Sequence, residues 1–225
     1  YLFLAGLGAG AFVLAVIAGW KCPDGVKLKF TGLFIALLAV AIGTLMLMVD
    51  ARAGLMNPLR FFGLLNNPNS IMMWGVVLLT AFLLVTFVAL LIQWKKKATP
   101  KALDIVGMVL ALGVAGYTGM LLGDVSVAFP LWNPLLLPVL FIVSAASAGF
   151  VAVVLAGHVM HAPELESLAF THKTSLVLPV LEAILIAVLL MVTQSVAGSA
   201  AAAAAASVAA LIGGAYAAAF WVGLI

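Results

Sequence analysis

The segment IMMWGVVLLTAFLLVTFVALLIQ, which runs from Ile71 to Gln93, contains no charged residue. A helix needs about 20 apolar residues to cross the hydrocarbon of a bilayer, because it rises about 1.5 Å per residue through a layer about 30 Å thick. This segment is long and apolar enough to do so. It places the chain among the integral membrane proteins.

The composition of the whole chain agrees with that placement. Of its 225 residues, 67% are hydrophobic and 8% are charged, and its mean hydropathy is +1.35. A soluble domain carries about 25% charged residues. The formal charge of +3 comes from lysines that flank apolar runs, so it is not a nucleic-acid-binding signature. Membrane lipid is therefore the expected main solvent of this protein.

Seven apolar runs of sufficient length follow one another along the chain. We predict an all-α integral membrane fold, a polytopic bundle with seven transmembrane helices in a single domain over residues 1–225. The predicted helices are Leu2–Trp20, Leu28–Val49, Ile71–Gln93, Leu103–Leu122, Leu131–Gly157, Leu176–Thr193 and Ala201–Ile225. Tyr1 opens directly into the first run and Ile225 ends inside the last, so we expect further residues at either end.

The basic residues predict the orientation. Eight lysines fall between helices 1 and 2, 3 and 4, or 5 and 6, whereas the alternate loops hold only Arg52 and Arg60. The eight are Lys21, Lys27, Lys29, Lys95, Lys96, Lys97, Lys101 and Lys173. Cytoplasmic loops carry the excess of positive charge. We therefore predict a multi-pass protein of a prokaryotic cytoplasmic (inner) membrane, with its N-terminus outward.

The cysteine and histidine residues exclude several kinds of metal centre. Cys22 is the single cysteine, so the protein's own cysteines cannot hold an iron–sulfur cluster or a structural zinc ion. The histidines His158, His161 and His172 all lie at or near one loop. They are not placed to hold a haem from two sides at membrane depth. We predict no metal, haem or cluster within this chain.

Two outward loops carry most of the remaining polarity. The first follows helix 2 and the second follows helix 4. The polar and aromatic residues of the first loop are Asp50, Arg52 and Arg60. Those near or within the second loop are Tyr117, Asp124, Trp132 and Asn133. Polar and aromatic residues of this kind are also found in ordinary interfacial loops and in the aromatic belts of membrane proteins. Two polar, aromatic loops on one face of so apolar a protein indicate one shared site.

Five motifs in order carry a family resemblance. They are YLFLAGLGAGAF at Tyr1, VDARAGLMNPLRFF continued by NPNSIMMWG, AGYTGMLL followed by PLWN, LPVLFIVSAASAG, and an acid in helix 6. With these the chain resembles the NrfD family, the membrane subunits of polysulfide reductase and related complexes. The resemblance runs from Tyr1 to about Glu182. Members of that family are quinone-reactive partners of iron–sulfur proteins.

The resemblance implies an architecture and a function. It implies eight helices in two four-helix bundles, the first over about residues 1–123 and the second over about 131–225, so one helix is missing here. It implies a menaquinone or ubiquinone pocket near the outward surface of the first bundle. The family tyrosine of helix 4 corresponds to Tyr117, and Tyr1 stands where some members have a histidine. The implied partners are a ferredoxin-like iron–sulfur subunit and a molybdopterin enzyme of anaerobic respiration, so the chain is not catalytic alone.

The residues themselves are compatible with such a pocket. A quinone needs an apolar cleft with one or two hydrogen-bond donors at its carbonyl oxygens, and ligand sites are commonly of that kind. Tyr117 supplies a phenol, and Trp132 and Asn133 are candidates to close the pocket. The alternatives are a belt tyrosine for Tyr117, and for the other two a helix-start motif with Pro134 in the first turn.

The acids and arginines have two interpretations each. Asp50 and Asp124 lie on the side of Tyr117 and are candidates for proton exchange, or they form ion pairs with the arginines. Glu182 lies inside an apolar run, where ionisable residues usually face a bundle interior and mark function. Two roles are predicted for Glu182: it is one step of a proton path, or it is a neutral carboxyl that holds two helices together. Arg52 and Arg60 are candidate contacts of the iron–sulfur partner.

The motif GLGAGA in helix 1 predicts close helix packing. Gly6 and Gly10 form a GxxxG pair, which lets helix backbones approach in a membrane. A dinucleotide-binding loop is rejected because no strand precedes it. Two alternatives to a quinone-reactive subunit stay open. One is a secondary transporter, for which Glu182 would be the pointer but no internal repeat is found; the other is a purely structural membrane anchor.

Overall fold

The computed structural model describes residues 1–22, 26–50, 63, 66–160 and 170–224. The side chains of residues 50, 170–173 and 224 fall outside that description. Every regular element within the described ranges is a helix, and six of these helices are long and apolar enough to cross a membrane. The predicted all-α membrane fold is confirmed.

The six long helices are α1 (Leu2–Lys21), α2 (Val26–Asp50), α3 (Ile71–Lys96), α4 (Lys101–Gly123), α5 (Leu136–Val159) and α6 (Phe170–Gln194). A short 3-10 turn, Gly198–Ala200, then leads into α7 (Ala201–Ile212) and α8 (Ala217–Leu224).

The last predicted span, Ala201–Ile225, is not one straight helix. The helices α7 and α8 are separated by a break and bent by 66° relative to each other. The break begins at Gly213 and Gly214, and glycine is about 1 kcal/mol less favourable than alanine inside a helix. The predicted count of seven spans is reached only when this bent pair is counted as one.

Two other helix starts differ from the prediction. The helix α2 begins at Val26, so Lys27 and Lys29 belong to its first turns and not to the preceding loop. The helix α5 begins at Leu136 and not at Leu131. The second difference has a local cause, because the Asn133 side-chain oxygen accepts hydrogen bonds from the N–H groups that open the helix.

The first four helices form a closed ring. Each packs against its neighbour in sequence, and α1 packs against α4 to close the circle. The helix α5 lies against α1 and α4, α6 lies against α5, and α7 lies against α6. Helix α1 is accordingly the most buried of the six long helices. The division at about residues 123 and 131 into two four-helix halves remains a prediction.

Aromatic packing fills the centre of the ring. The rings of Phe12 on α1 and Phe82 on α3 meet edge to face, with centroids 5.4 Å apart and planes at 71°. Both side chains are fully buried. Gly107 on α4 provides the space for Phe12, because a Cβ at that position would overlap the Phe12 ring. This arrangement fixes α1, α3 and α4 at one level of the bundle.

The glycines of α1 let it approach α5 to backbone contact. A Cβ on Gly10 would lie 2.7 Å from the carbonyl carbon of Ala145, and one on Gly149 would lie 2.5 Å from Gly10 Cα. One turn earlier, a Cβ on Gly6 would lie 3.3 Å from the Ala145 methyl group. The prediction that GLGAGA is a helix-packing motif is confirmed.

Candidate functional site

Tyr117 lies in α4, with its ring pressed against α3. The residue is 6% exposed. Its ring occupies the space above Gly75, where a Cβ would overlap the ring carbons. Gly75 is in the second turn of α3 and Tyr117 is two turns before the end of α4, so both lie toward the same end of the bundle. A larger residue at position 75 would displace the tyrosine.

The hydroxyl of Tyr117 makes no hydrogen bond to any residue that the structure describes. The phenol of Tyr1 is near enough to interact with it electrostatically. Tyr1 opens α1, where its carbonyl accepts the N–H of Ala5 at 3.0 Å. Two phenols, from the start of α1 and from α4, therefore lie toward the same end of the four-helix ring, within electrostatic range of each other.

The loop after α4 lies beside that end. Glycines near the end of α4 allow α5 to approach closely: a Cβ on Gly119 would be 2.5 Å from Pro138 Cα, and one on Gly123 would be 2.6 Å from Pro134 Cα. The start of α5 is thereby held against the last turns of α4. Trp132 and Asn133 precede this contact directly, so they belong to the same end of the molecule as Tyr117.

Asn133 has a structural role in this loop. Its side-chain oxygen accepts the N–H groups of Leu135 at 2.9 Å and Leu136 at 3.1 Å. Asparagine is among the preferred residues for this capping role at a helix start. The Asn133 side-chain oxygen thus serves the helix start, as the alternative interpretation of this residue holds. Its amide nitrogen makes no hydrogen bond within the described residues.

Trp132 and Asp124 are more open. The Trp132 ring is half-buried and lies on Phe129, with centroids 4.6 Å apart and planes at 33°. Asp124 directly follows Gly123, the last residue of α4, and it is exposed. No hydrogen bond or ring contact joins either side chain to Tyr117 in the described part of the protein. Three other predicted site residues cannot be placed here, since the described residues do not include the Asp50 side chain, Arg52 or Arg60.

Glu182 lies on the packed face of α6. It follows Leu178 by one turn, and Leu178 packs against the central core. The buried residues Leu189 and Thr193 continue the same face. Glu182 itself is half-buried. Both roles considered for it, in proton transfer and as a neutral carboxyl between helices, remain predictions.

The most buried charges lie at the other end of α4, where no site was predicted. The Lys29 ammonium donates to Asp104 Oδ2 at 2.8 Å, and the two side chains are only 7% and 1% exposed. Trp20 Nε1 donates to the same oxygen at 3.1 Å, and the Thr99 hydroxyl donates to Oδ1 at 2.6 Å. Lys29 also donates to the Thr99 hydroxyl. We call these four residues the charge cluster.

The sequence carries a signal for the charge cluster. Asp104 is the one acid within the predicted span Leu103–Leu122, and an ionisable residue inside such a span is a functional candidate by default. The charge pattern groups Lys29 with the loop lysines. That assignment is wrong for its side chain, which is buried against Asp104 and not solvated at the membrane surface. Packing between two helices can therefore pair a charged side chain, here Lys29, that lies one turn inside a membrane-spanning helix.

The sequence matches a known family along its whole length. The family described as "Polysulphide reductase, NrfD" matches residues 1–225. The protein belongs to the NrfD family. It is 35% identical, over 214 residues, to the C subunit of the polysulfide reductase of Wolinella succinogenes. That match covers 83% of this NrfD protein and 65% of the relative, so the sequence spans somewhat less than two thirds of the relative's length.

Family membership and the apolar helices together identify a multi-pass membrane protein. The predicted resemblance to the NrfD family is confirmed over the whole sequence. The roles of Tyr117, Tyr1, Trp132 and Asn133 remain predictions. The structure places the two tyrosines within electrostatic range of each other, and Trp132 and Asn133 in the loop that adjoins the same end of α4.

Proposed function

We propose that this NrfD protein is the quinone-reactive membrane subunit of a respiratory oxidoreductase complex. It exchanges electrons between a membrane quinone and an iron–sulfur partner subunit. The observation that carries the proposal is the position of Tyr117, a largely buried phenol packed over Gly75 near one end of the four-helix ring. Family membership and the name of the Wolinella relative support it.

The residue types at this end of the ring are those expected at a quinone site. Tyr117 is surrounded by apolar side chains of the central core, with Met72 and Leu121 packed against the same cluster. An apolar wall with few, well-placed donors is the usual composition of a small-molecule site. Tyr117 offers a donor to one carbonyl oxygen, and the neighbouring Tyr1 phenol offers the second candidate donor.

A bound menaquinone or ubiquinone would supply two-electron, two-proton chemistry. Tyr117 orients the headgroup by donating its hydroxyl proton in a hydrogen bond to a carbonyl oxygen. Gly75 leaves the space that holds the tyrosine ring in that position. Asp124 is exposed at the end of α4, where it exchanges protons with water, and Asp50 is its counterpart at the end of α2. Trp132 covers the pocket from the adjoining loop.

The partner is proposed to be a ferredoxin-like iron–sulfur subunit that passes electrons to or from a molybdopterin enzyme. Arg52 and Arg60 are the proposed contacts. We expect that changing both arginines to alanine weakens retention of the partner, by about two- to thirtyfold in apparent Kd, if each forms an exposed ion pair worth about 0.2–1 kcal/mol. Co-purification of the complex measures this. The control is Lys95→Ala with Lys96→Ala at the opposite end of α3, and equal retention in both variants would remove the arginines from the interface.

The variant Tyr117→Phe tests the quinone site. It keeps the ring against Gly75 and removes one hydrogen bond, which is worth about 0.5–1.5 kcal/mol. We expect the affinity of the complex for quinol to fall about two- to twelvefold, with folding unchanged. Quinol-linked activity is measured beside activity with an artificial electron dye, which bypasses the quinone.

The matched control is Tyr216→Phe. Tyr216 lies in the break between α7 and α8 and is 64% exposed, so its hydroxyl is remote from the proposed pocket. Equal quinol activity in the wild type and the Tyr117→Phe variant would identify Tyr117 as a structural tyrosine and would mean that the quinone pocket lies elsewhere.

We further propose that the Tyr117 end faces outward from a prokaryotic inner membrane and the lysine-rich end faces the cytoplasm. Single cysteines test this in a Cys22→Ala background. We expect an impermeant thiol reagent added to intact cells to label Val127→Cys, because Val127 is 96% exposed in the loop after α4. Lys97→Cys should be labelled only after the membrane is opened. The reverse pattern would invert the topology.

A further inference from the structure

A cavity of about 530 Å³ lies at the lysine-rich end of the bundle, beside the charge cluster. It is enclosed by the end of α1, the start of α2, the end of α3 and the start of α4. Its described lining includes Trp20, Lys29, Gln93, Lys97, Lys101 and Asp104. Asp104 and Tyr117 are separated by 13 residues of α4, or about 20 Å of helix. The cavity is thus distinct from the proposed quinone site.

The described lining of this cavity carries a net positive charge. Among its described lining residues are three lysines and one carboxylate. Lys29 is compensated by Asp104, and the ion pair leaves Lys97 and Lys101 in excess. Both of these lysines are exposed. An anionic ligand is therefore favoured over a cationic one.

The start of α4 adds to the positive potential. Pro100 occupies the cap position and provides no side-chain hydrogen bond, while the hydroxyl of Thr99 is directed to Asp104. The N–H groups of Lys101 and Ala102 have no acceptor among the described residues. Free N–H groups and the helix dipole make such an end suitable for a phosphate.

Gln93 supplies an independent indication of a ligand. Its side chain is 2% exposed and lines the cavity. The amide nitrogen donates to the carbonyl of Lys97 at 3.3 Å, but Oε1 has no hydrogen-bond partner among the described residues. A buried acceptor without a donor is costly. The occupant should therefore bring a hydrogen-bond donor as well as a negative charge.

The apolar wall of the cavity continues onto the lipid-facing surface. Ile105 lines the cavity and is 52% exposed, and Val109 follows one turn along α4 and is 64% exposed. Trp20 lies at the rim, half in the charge cluster and half exposed, a position typical of tryptophan at a membrane interface. A ligand with an acyl tail can extend from the cavity along this surface.

We propose that the cavity binds the headgroup of an anionic phospholipid that carries hydroxyl groups, of the phosphatidylglycerol class. The phosphate lies over the start of α4, near Lys97 and Lys101. A headgroup hydroxyl donates to Gln93 Oε1, and an acyl tail follows Ile105. Basic pockets between transmembrane helices are known as sites for anionic lipid headgroups.

Lipid-dependent thermal stabilisation of the purified, detergent-solubilised full-length protein tests the proposal. We expect short-tailed phosphatidylglycerol to raise the Tm and short-tailed phosphatidylcholine to have little effect. In the Lys97→Gln, Lys101→Gln variant the apparent affinity for phosphatidylglycerol should fall about 25-fold, counting about fivefold for each lysine near an anionic headgroup. Lys95→Gln with Lys96→Gln is the matched control, because these exposed lysines do not line the cavity.

A second variant tests the headgroup hydroxyl. Wild-type protein should prefer phosphatidylglycerol over phosphatidic acid, which has no glycerol headgroup, and Gln93→Met should abolish that preference. Equal losses in the two lysine variants would overturn the proposal in favour of general surface charge. Stabilisation by glycerol 3-phosphate as strong as that by the lipid would overturn it in favour of a soluble anion.

Discussion

Asp104→Ala is expected to lower the free energy of unfolding of the helical bundle by about 3–5 kcal/mol, the usual cost of removing one partner of a buried ion pair. The Lys29 ammonium would remain only 7% exposed, without its carboxylate. The indole N–H of Trp20 and the Thr99 hydroxyl would also lose an acceptor. Reversible unfolding in mixed detergent micelles measures the effect.

Two controls separate the ion pair from a general effect of the substitution. The double variant Lys29→Met, Asp104→Leu replaces both charges by apolar side chains, and such replacements are often neutral or stabilising. We expect it to recover most of the lost stability. Asp124→Ala removes an exposed acid from the other end of α4 and should change stability by less than about 0.5 kcal/mol. If Asp104→Ala behaves like Asp124→Ala, the ion pair contributes nothing to the fold.

Gly149→Val should have a comparably large effect through packing alone. Even a Cβ at this position would lie 2.5 Å from Gly10 Cα, so the obstacle is backbone and cannot rotate away. Overpacking of a core costs about 1–3 kcal/mol or more, and we expect the upper end because α1 and α5 must separate along their length. The same unfolding assay, together with the amount of folded protein in the membrane, measures the loss.

The control for Gly149 is Gly213→Ala. No described atom lies within 4 Å of a Cβ built on Gly213, and its φ of −137° is open to any residue. We expect this substitution to leave stability within about 0.5 kcal/mol. Equal losses at the two glycines would mean that the contact between α1 and α5 is not close.

Much of the fold could be predicted from the sequence, because a bilayer requires long apolar helices. The third and fourth helices begin within two residues of their predicted starts, Ile71 and Leu103. The predicted start of α5 was too early because Asn133, the last residue of PLWN, caps the helix through its side chain. The hydropathy of the last predicted span, Ala201–Ile225, also gave no indication that the helix is interrupted at Gly213 and Gly214.

The candidate site was predictable to a smaller extent. Helix periodicity and the order of motifs placed Tyr117 near one end of the bundle, and the structure adds its burial against Gly75. The charge cluster was missed because pairing between Lys29 and Asp104 joins residues 75 positions apart in the sequence. A lysine near a helix end has the same sequence pattern whether it is solvated at the interface or buried against another helix.

The backbone contact between Gly10 and Gly149 has a consequence for how the protein is made. The two glycines are 139 residues apart, so at a synthesis rate of about 5–20 residues per second α1 is made roughly 7–28 s before its partner. During that interval its small-residue face meets lipid, or the insertion machinery, and has no α5 to pack against. A ribosome that stalls before α5 emerges therefore leaves an inserted but unassembled first helix, which membrane quality control can recognise.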